Sequence, residues 1–248
     1  MTGYPGFGVL LAALSDRREL DIGVLARRAG VPELELQSVF AGIVPSPSLL
    51  RKLGPALGLH AEDVFVIAGA TVPDDLAPLD AEARRWVPYV VEHAVDLPSE
   101  KRGELRHLVR SLPRGKLLQP PSFPQLYDTP AGPPGALLVR MLRYRNLGWM
   151  GMARIFLFMT GRYWSASTYG MVGAGRKELT PDLVADFGTL LGIPAGDLAA
   201  LTGIALSEEP HTPEPAVAGV AELIRDLRRL TADQVRHISE AAASMRPT

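Results

Sequence analysis

The chain has 248 residues, 47% hydrophobic and 21% charged, the balance of a globular protein with a sizeable core, which excludes global disorder. Its net charge of −1 means that affinity for a polyanion has to come from local clusters of Lys and Arg. The lack of cysteine excludes disulfides, Cys-ligated zinc and thiol catalysis, and no apolar run approaches the ~20 residues of a membrane span; a cytoplasmic protein with no membrane partner is expected.

Helical periodicity begins at Phe7–Arg18, where Leu10, Leu11 and Leu14 share a face. Leu25-Ala26-Arg27-Arg28-Ala29-Gly30-Val31 then leads into a short helix ending near Phe40. Ser46-Pro47 opens Leu49–Leu59 with a capping hydroxyl and a first-turn proline. A two-helix tail follows, Ala81–Val95 and Ser99–Ser111, with Pro88 predicting a kink or the true helix start and Ser99 an N-cap. Seven prolines between Pro113 and Pro134 predict a linker. Beyond it lie a helix over Gly135–Arg145 carrying Leu138, Met141 and Leu142, an apolar stretch from Ile155 to Trp164, and a hydroxyl-rich segment Ser165–Tyr169. Thr180-Pro181 opens Leu183–Ile193, and after an acidic connection at Ser207–Pro215 the tail helices Ala216–Leu230 and Thr231–Met245 close the chain, the latter with a Thr231/Gln234 capping box.

These segments form a duplication. Ser46-Pro47 and Thr180-Pro181 are 134 residues apart, and the same offset relates Leu57-Gly58-Leu59 to Leu191-Gly192-Ile193, Asp63 to Asp197 and Gly69 to Gly203. The tails repeat at about 133. Aligning Met152-Ala153 with Leu25-Ala26 needs 127, so about six extra residues lie within Ile155–Trp164 of the second copy, where an extended helix would bury their apolar groups.

Leu25–Val31, the short helix to Phe40, Gly42, Ser46-Pro47 and Leu57-Gly58-Leu59 resemble the five-helix domain of lambda-repressor-like (Xre-type) regulators over about Phe7–Gly69. The small Ala26 permits close helix approach, Gly30 the sharp turn, and Leu36 and Val39 point inward. The resemblance implies an all-α fold of two tandem five-helix helix-turn-helix domains with two-helix tails, at 1–112 and 135–248. It also implies that the third helix of each copy meets the DNA major groove. In the first copy that helix carries Glu33 and Glu35, which face a backbone with one charge per ~1.7 Å, leaving Gln37 and Ser38 as its base readers.

The second copy has the opposite character. Ser165, Ser167, Thr168 and Tyr169 take the base-reading places, with Arg162, Arg176 and Lys177 on phosphates. Between Val139 and Lys177 there are seven basic residues, Arg140, Arg143, Arg145, Arg154, Arg162, Arg176 and Lys177, and no acidic one. The expected function is therefore a sequence-specific, repressor-like bacterial transcriptional regulator with double-stranded DNA as partner and the second module as the main reader. The apolar stripes of the tails (Val87, Val90, Val91; Val217, Val220, Leu223, Ile224, Leu227) are expected to pack either within the chain or between two copies as a homodimer. The rival is an antitoxin-like protein-interaction module acting through the acidic first copy. No cofactor, metal or enzymatic activity is expected: the five histidines are scattered, the glycines at 170, 173 and 175 complete no phosphate-loop pattern, and no GxSxG occurs.

Overall fold

A computed structural model describes residues 5–115, 132–206 and 215–246. Among them are fourteen α-helices, one 3-10 turn and no strand, an all-α protein. Most of the expected linker, at 116–131, and most of the acidic connection, at 207–214, lie outside the described residues.

Five helices come first: α1 (Phe7–Arg17), α2 (Ile22–Ala29), α3 (Glu33–Phe40), α4 (Pro47–Ala56) and α5 (Ala61–Ile67). A 3-10 turn (Ala81–Arg85), α6 (Val87–Ala94) and α7 (Ser99–Ser111) follow. A second set of five is α8 (Pro134–Tyr144), α9 (Trp149–Thr160), α10 (Ala166–Gly173), α11 (Pro181–Leu191) and α12 (Ala195–Thr202), and α13 (Pro215–Leu227) and α14 (Ala232–Ser244) end the chain.

Local chemistry sets the boundaries. Side-chain oxygens of Asp21, Ser46 and Thr180 accept from the amides of Val24, Leu49 and Leu183 at 2.7, 3.2 and 3.4 Å, so three helix starts have a donor satisfied. The Thr231/Gln234 capping box forms. Pro88 sits in the first turn of α6, and the residues before it make the separate 3-10 turn because its ring disfavours continuous helix upstream. Ser99 differs from expectation: it is the first helical residue, behind Pro98, and makes no capping bond. Pro134 begins α8 and does not end a linker.

The two five-helix units repeat in detail. A Cβ on Gly8 of α1 would overlap the Val39 carbonyl oxygen, and one on Gly135 of α8 the Val172 carbonyl oxygen, so in each unit the first helix crosses the third at backbone contact. The units also pack reciprocally, α1 against α12 and α8 against α5. Arg18, just past α1, donates from Nε to Asp197 of α12 at 3.1 Å; Arg145, just past α8, forks Asp63 of α5 with two bonds of 2.7 Å.

The tails exchange in the same manner, α6 lying on α14 and α7 on α13. Val87, Val90 and Val91 with Val220, Leu223, Ile224 and Leu227 are fully buried and Val217 packs on the same core. Of the two packings expected for these stripes, the structure has the one within the chain, and they offer no open face for a homodimer. Reciprocity ends where the tail bundle meets the units: α6 lies on α9 and α13 on α11, so the bundle rests chiefly on the second unit. Among the described residues no helix is long and apolar enough to cross a membrane.

Candidate nucleic-acid interface

The second unit's α9 and α10 carry most of the residues that the sequence singles out. α9 has 12 residues where α2 has 8, and it ends on the left-handed Gly161 (φ 69) as α2 ends on Gly30 (φ 63). The rest of the insertion lengthens the connection to Ser165. Ile155, Phe156 and Met159 are buried, with the Phe156 ring 4.7 Å from Tyr169 and 5.2 Å from Phe187. Most of the extra apolar surface therefore feeds the core, while Tyr163, 67% exposed, does not.

α10 packs against α8 and α9 of its own unit, and its outer face is open. That face differs from expectation. Tyr169 is fully buried and its hydroxyl has no hydrogen-bond partner; burial pushes the phenol pKa up. Thr168 is also buried, its Oγ1 3.0 Å from Ser165 Oγ. Neither can reach a base, because both lie on the side of α10 that closes the core. Ser167 is exposed, with Oγ 2.9 Å from Ser165 Oγ, and Ser165 is half-buried at the N-cap; Met171 adds a thioether at 39% exposure.

The basic stretch is also rearranged in space. Arg145 is buried on Asp63, Arg140 donates to the Val66 carbonyl at 2.8 Å, and Arg154 pairs with Glu92 of α6 at 2.8 Å while its guanidinium lies 4.4 Å from the Tyr89 ring centroid. Arg162 is exposed but leans on Asp182 at 3.4 Å and Asp186 at 3.8 Å. A segment without acids in sequence is thus threaded with acids from other helices, and the broad cationic field does not form. Arg143 lies 5.1 Å from the Trp149 ring centroid, and Arg176 and Lys177 remain: both are exposed, and among the described residues neither has a salt-bridge partner. Lys177 Nζ stands 5.6 Å from the Trp164 ring centroid, and Trp164 Nε1 donates to Asp186 at 2.9 Å. Burial pushes the Asp186 carboxyl above its ordinary range despite the Trp164 bond. The aromatic ring holds the lysine stem without neutralising it.

The first unit presents α3 differently. Glu33, Glu35 and Gln37 are exposed, and Gln37 Nε2 donates to Glu33 Oε1 at 3.1 Å; half-buried Ser38 donates to the Leu34 carbonyl at 3.0 Å. Both expected readers of this unit have local partners on their own helix. Leu36 and Val39 are buried as expected. The sequence reading missed the roles of Arg18 and Arg145, although they recur 127 residues apart and their partners Asp63 and Asp197 recur at 134. Among the described residues no group of three or more His, Asp or Glu is placed to hold a metal ion, and His60 Nε2 lies 2.8 Å from Glu222 of α13. Compared with known proteins, the chain matches no family model, no curated protein and no solved structure.

Proposed function

We propose that the protein is a sequence-specific double-stranded DNA-binding transcriptional regulator, repressor-like, built from two tandem lambda-repressor-like helix-turn-helix domains with two-helix tails, in which α9 and α10 of the second domain contact the duplex. The observation that carries this reading is the open face of α10: Ser167 and Met171 outward, no carboxylate on the helix, and Arg176 and Lys177 just beyond its end without a salt-bridge partner among the described residues. Small residues let a helix enter the major groove closely, a serine hydroxyl both donates and accepts at base edges, and flanking cations hold phosphates. With Tyr169 and Thr168 withdrawn into the core, Ser167 is the leading base reader and Ser165 its neighbour at the helix start.

Few free cations imply a shallow salt dependence. If Arg176, Lys177 and part of Arg162 neutralise about two to three phosphates, log K against log salt has a slope of roughly −2 to −3. Fluorescence anisotropy on random and genomic duplexes from low to moderate salt reads this directly. The double variant Arg176→Ala/Lys177→Ala is expected to flatten the slope by about 2 and weaken binding uniformly across sequences, whereas Ser167→Ala is expected to relax sequence preference with little change in slope. A wild-type chain that binds no duplex at low salt overturns the reading.

A further inference from the structure

The surface of the first unit that corresponds to the proposed DNA face has the opposite chemistry. The two surfaces superpose residue for residue at an offset of 133: Gly42 N donates to Val39 O at 2.9 Å as Gly175 N does to Val172 O at 3.1 Å, and Ile43 N donates to Ser38 O at 2.9 Å as Arg176 N does to Met171 O at 2.8 Å. Gly42 and Gly175 share the left-handed conformation, φ 98 and 67, that makes this turn. Leu34 therefore occupies the place of Ser167, Ile43 that of Arg176, and Val44 that of Lys177, while Glu33 and Glu35 replace Ala166 and Thr168.

The exchanges at Arg176 and Lys177 remove a cation, that at Ser167 removes a hydroxyl, and all five add apolar area or negative charge. Leu34, Ile43 and Val44 are 71, 64 and 86% exposed, three large aliphatic side chains open to water within eleven residues. Isolated exposed aliphatics are ordinary, but a group of them on a surface whose sister copy is polar is not a folding requirement. No Lys or Arg occurs between Arg28 and Arg51, and Arg27 of α2 is the arginine that comes near Glu33.

We infer that this face, Leu34, Ile43 and Val44 rimmed by Glu33 and Glu35, is a docking site for a basic amphipathic helix of another protein. Charge complementarity selects the occupant. A duplex or an anionic lipid surface meets two exposed carboxylates that form no salt bridge among the described residues, with Arg27 near Glu33 as a cation beside them, and a second copy placed symmetrically on the same face sets Glu33 and Glu35 against their own counterparts. A helix with an apolar stripe flanked by Lys or Arg covers the aliphatics and pairs with the rim.

The test uses the full chain and three labelled synthetic 18-residue peptides: a Leu/Lys amphipathic helix, its Leu/Glu isomer, and a Lys-matched permutation without an apolar stripe. The amphipathic basic peptide is expected to bind at least tenfold more tightly than either control. Leu34→Asp/Val44→Asp is expected to lose that binding, and Glu33→Lys/Glu35→Lys to weaken it at least fivefold, with melting temperatures confirming that these exposed positions leave the fold intact. Arg176→Ala/Lys177→Ala is expected to keep peptide binding and lose duplex binding, which separates a failure here from a failure of the DNA reading. Equal binding of the three peptides, no binding, or binding indifferent to the α3 variants overturns the inference. So does sedimentation showing a wild-type dimer that Leu34→Asp/Val44→Asp dissociates, since the occupant is then a second copy.

Discussion

Tyr169 shows how a single side chain decides between packing and recognition. It packs on Phe156 at 4.7 Å and stands edge-on to Phe187 at 6.3 Å between centroids, and the one polar side-chain atom it brings into this aromatic cluster, its hydroxyl, has no hydrogen-bond partner among the described residues. An unsatisfied buried hydroxyl costs about 1–3 kcal/mol, so deleting it while keeping the ring should not hurt. Tyr169→Phe is expected to leave stability unchanged or raise it by about 1 kcal/mol in chemical denaturation, and to leave duplex affinity within twofold. A large loss of affinity with unchanged stability would place the hydroxyl on DNA and contradict its burial. The inward turn was already legible: the offset of 133 that pairs the two third helices aligns Tyr169 with Leu36, and an aromatic ring in a leucine's place belongs to the core before it belongs to a groove.

Elements read well from sequence where their signals are local, and poorly where their partners are distant. Caps at Asp21, Ser46, Thr180 and Thr231 are satisfied within three residues, so Ser46-Pro47, Thr180-Pro181 and the Thr231/Gln234 pair marked their helices correctly. The basic character of the second unit did not survive, because Arg154 finds Glu92 from 62 residues away and Arg145 finds Asp63 from 82, distances at which a sequence window is blind. The crossing of first and third helices lies between these cases: Gly8 and Gly135 recur at 127, but only the structure shows that each faces a carbonyl oxygen. Gly135→Ala has to push α8 away from α10, and since the obstacle is backbone the neighbour cannot rotate aside; overpacking of this kind costs about 1–3 kcal/mol. Gly8→Ala imposes the same on α1 and α3. Both variants are expected to be less stable by a similar amount in thermal unfolding, whereas only Gly135→Ala, which displaces the proposed reading helix, is expected to weaken duplex binding. If the two affect binding equally, α10 is not the element that matters.

Across the whole molecule, the pairing of the units is near-symmetric in contacts and asymmetric in charge. Arg18–Asp197 is partly open to water, but Arg145–Asp63 is buried and continuous with a larger network: Glu62 lies 2.7 Å from Arg225 and 3.0 Å from Arg228, both just beyond or within α13, while Glu222 of α13 meets His60 and Arg106. The second unit has Gly196 where the first has Glu62, so among the described residues the fifth helix of the first unit is the one tied to the tail bundle by charge. Burial works against the Glu62 carboxylate, yet Arg145, Arg228 and Arg225 outweigh it and hold the pKa at about 2, below the ordinary 4.5; the His60 bond, foremost, holds Glu222 at about 2 as well. The folded state therefore binds fewer protons than the unfolded chain in acid, and this stabilisation is complete above about pH 4.5 and lost as the pH falls towards 2. For Glu62 alone the linkage is on the order of 3 kcal/mol. Glu62→Gln removes the charge at every pH and takes from Arg225 and Arg228 their shared carboxylate, while Arg145 keeps Asp63, so it is expected to destabilise the protein by about 3–5 kcal/mol at pH 7 and to show a shallower decline between pH 4.5 and 2.5 than the wild type. Urea titrations at pH 7, 4.5 and 2.5 measure both quantities. An acid limb of equal steepness in the two proteins would move the acid sensitivity to other carboxylates, Glu222 at the His60 contact first among them.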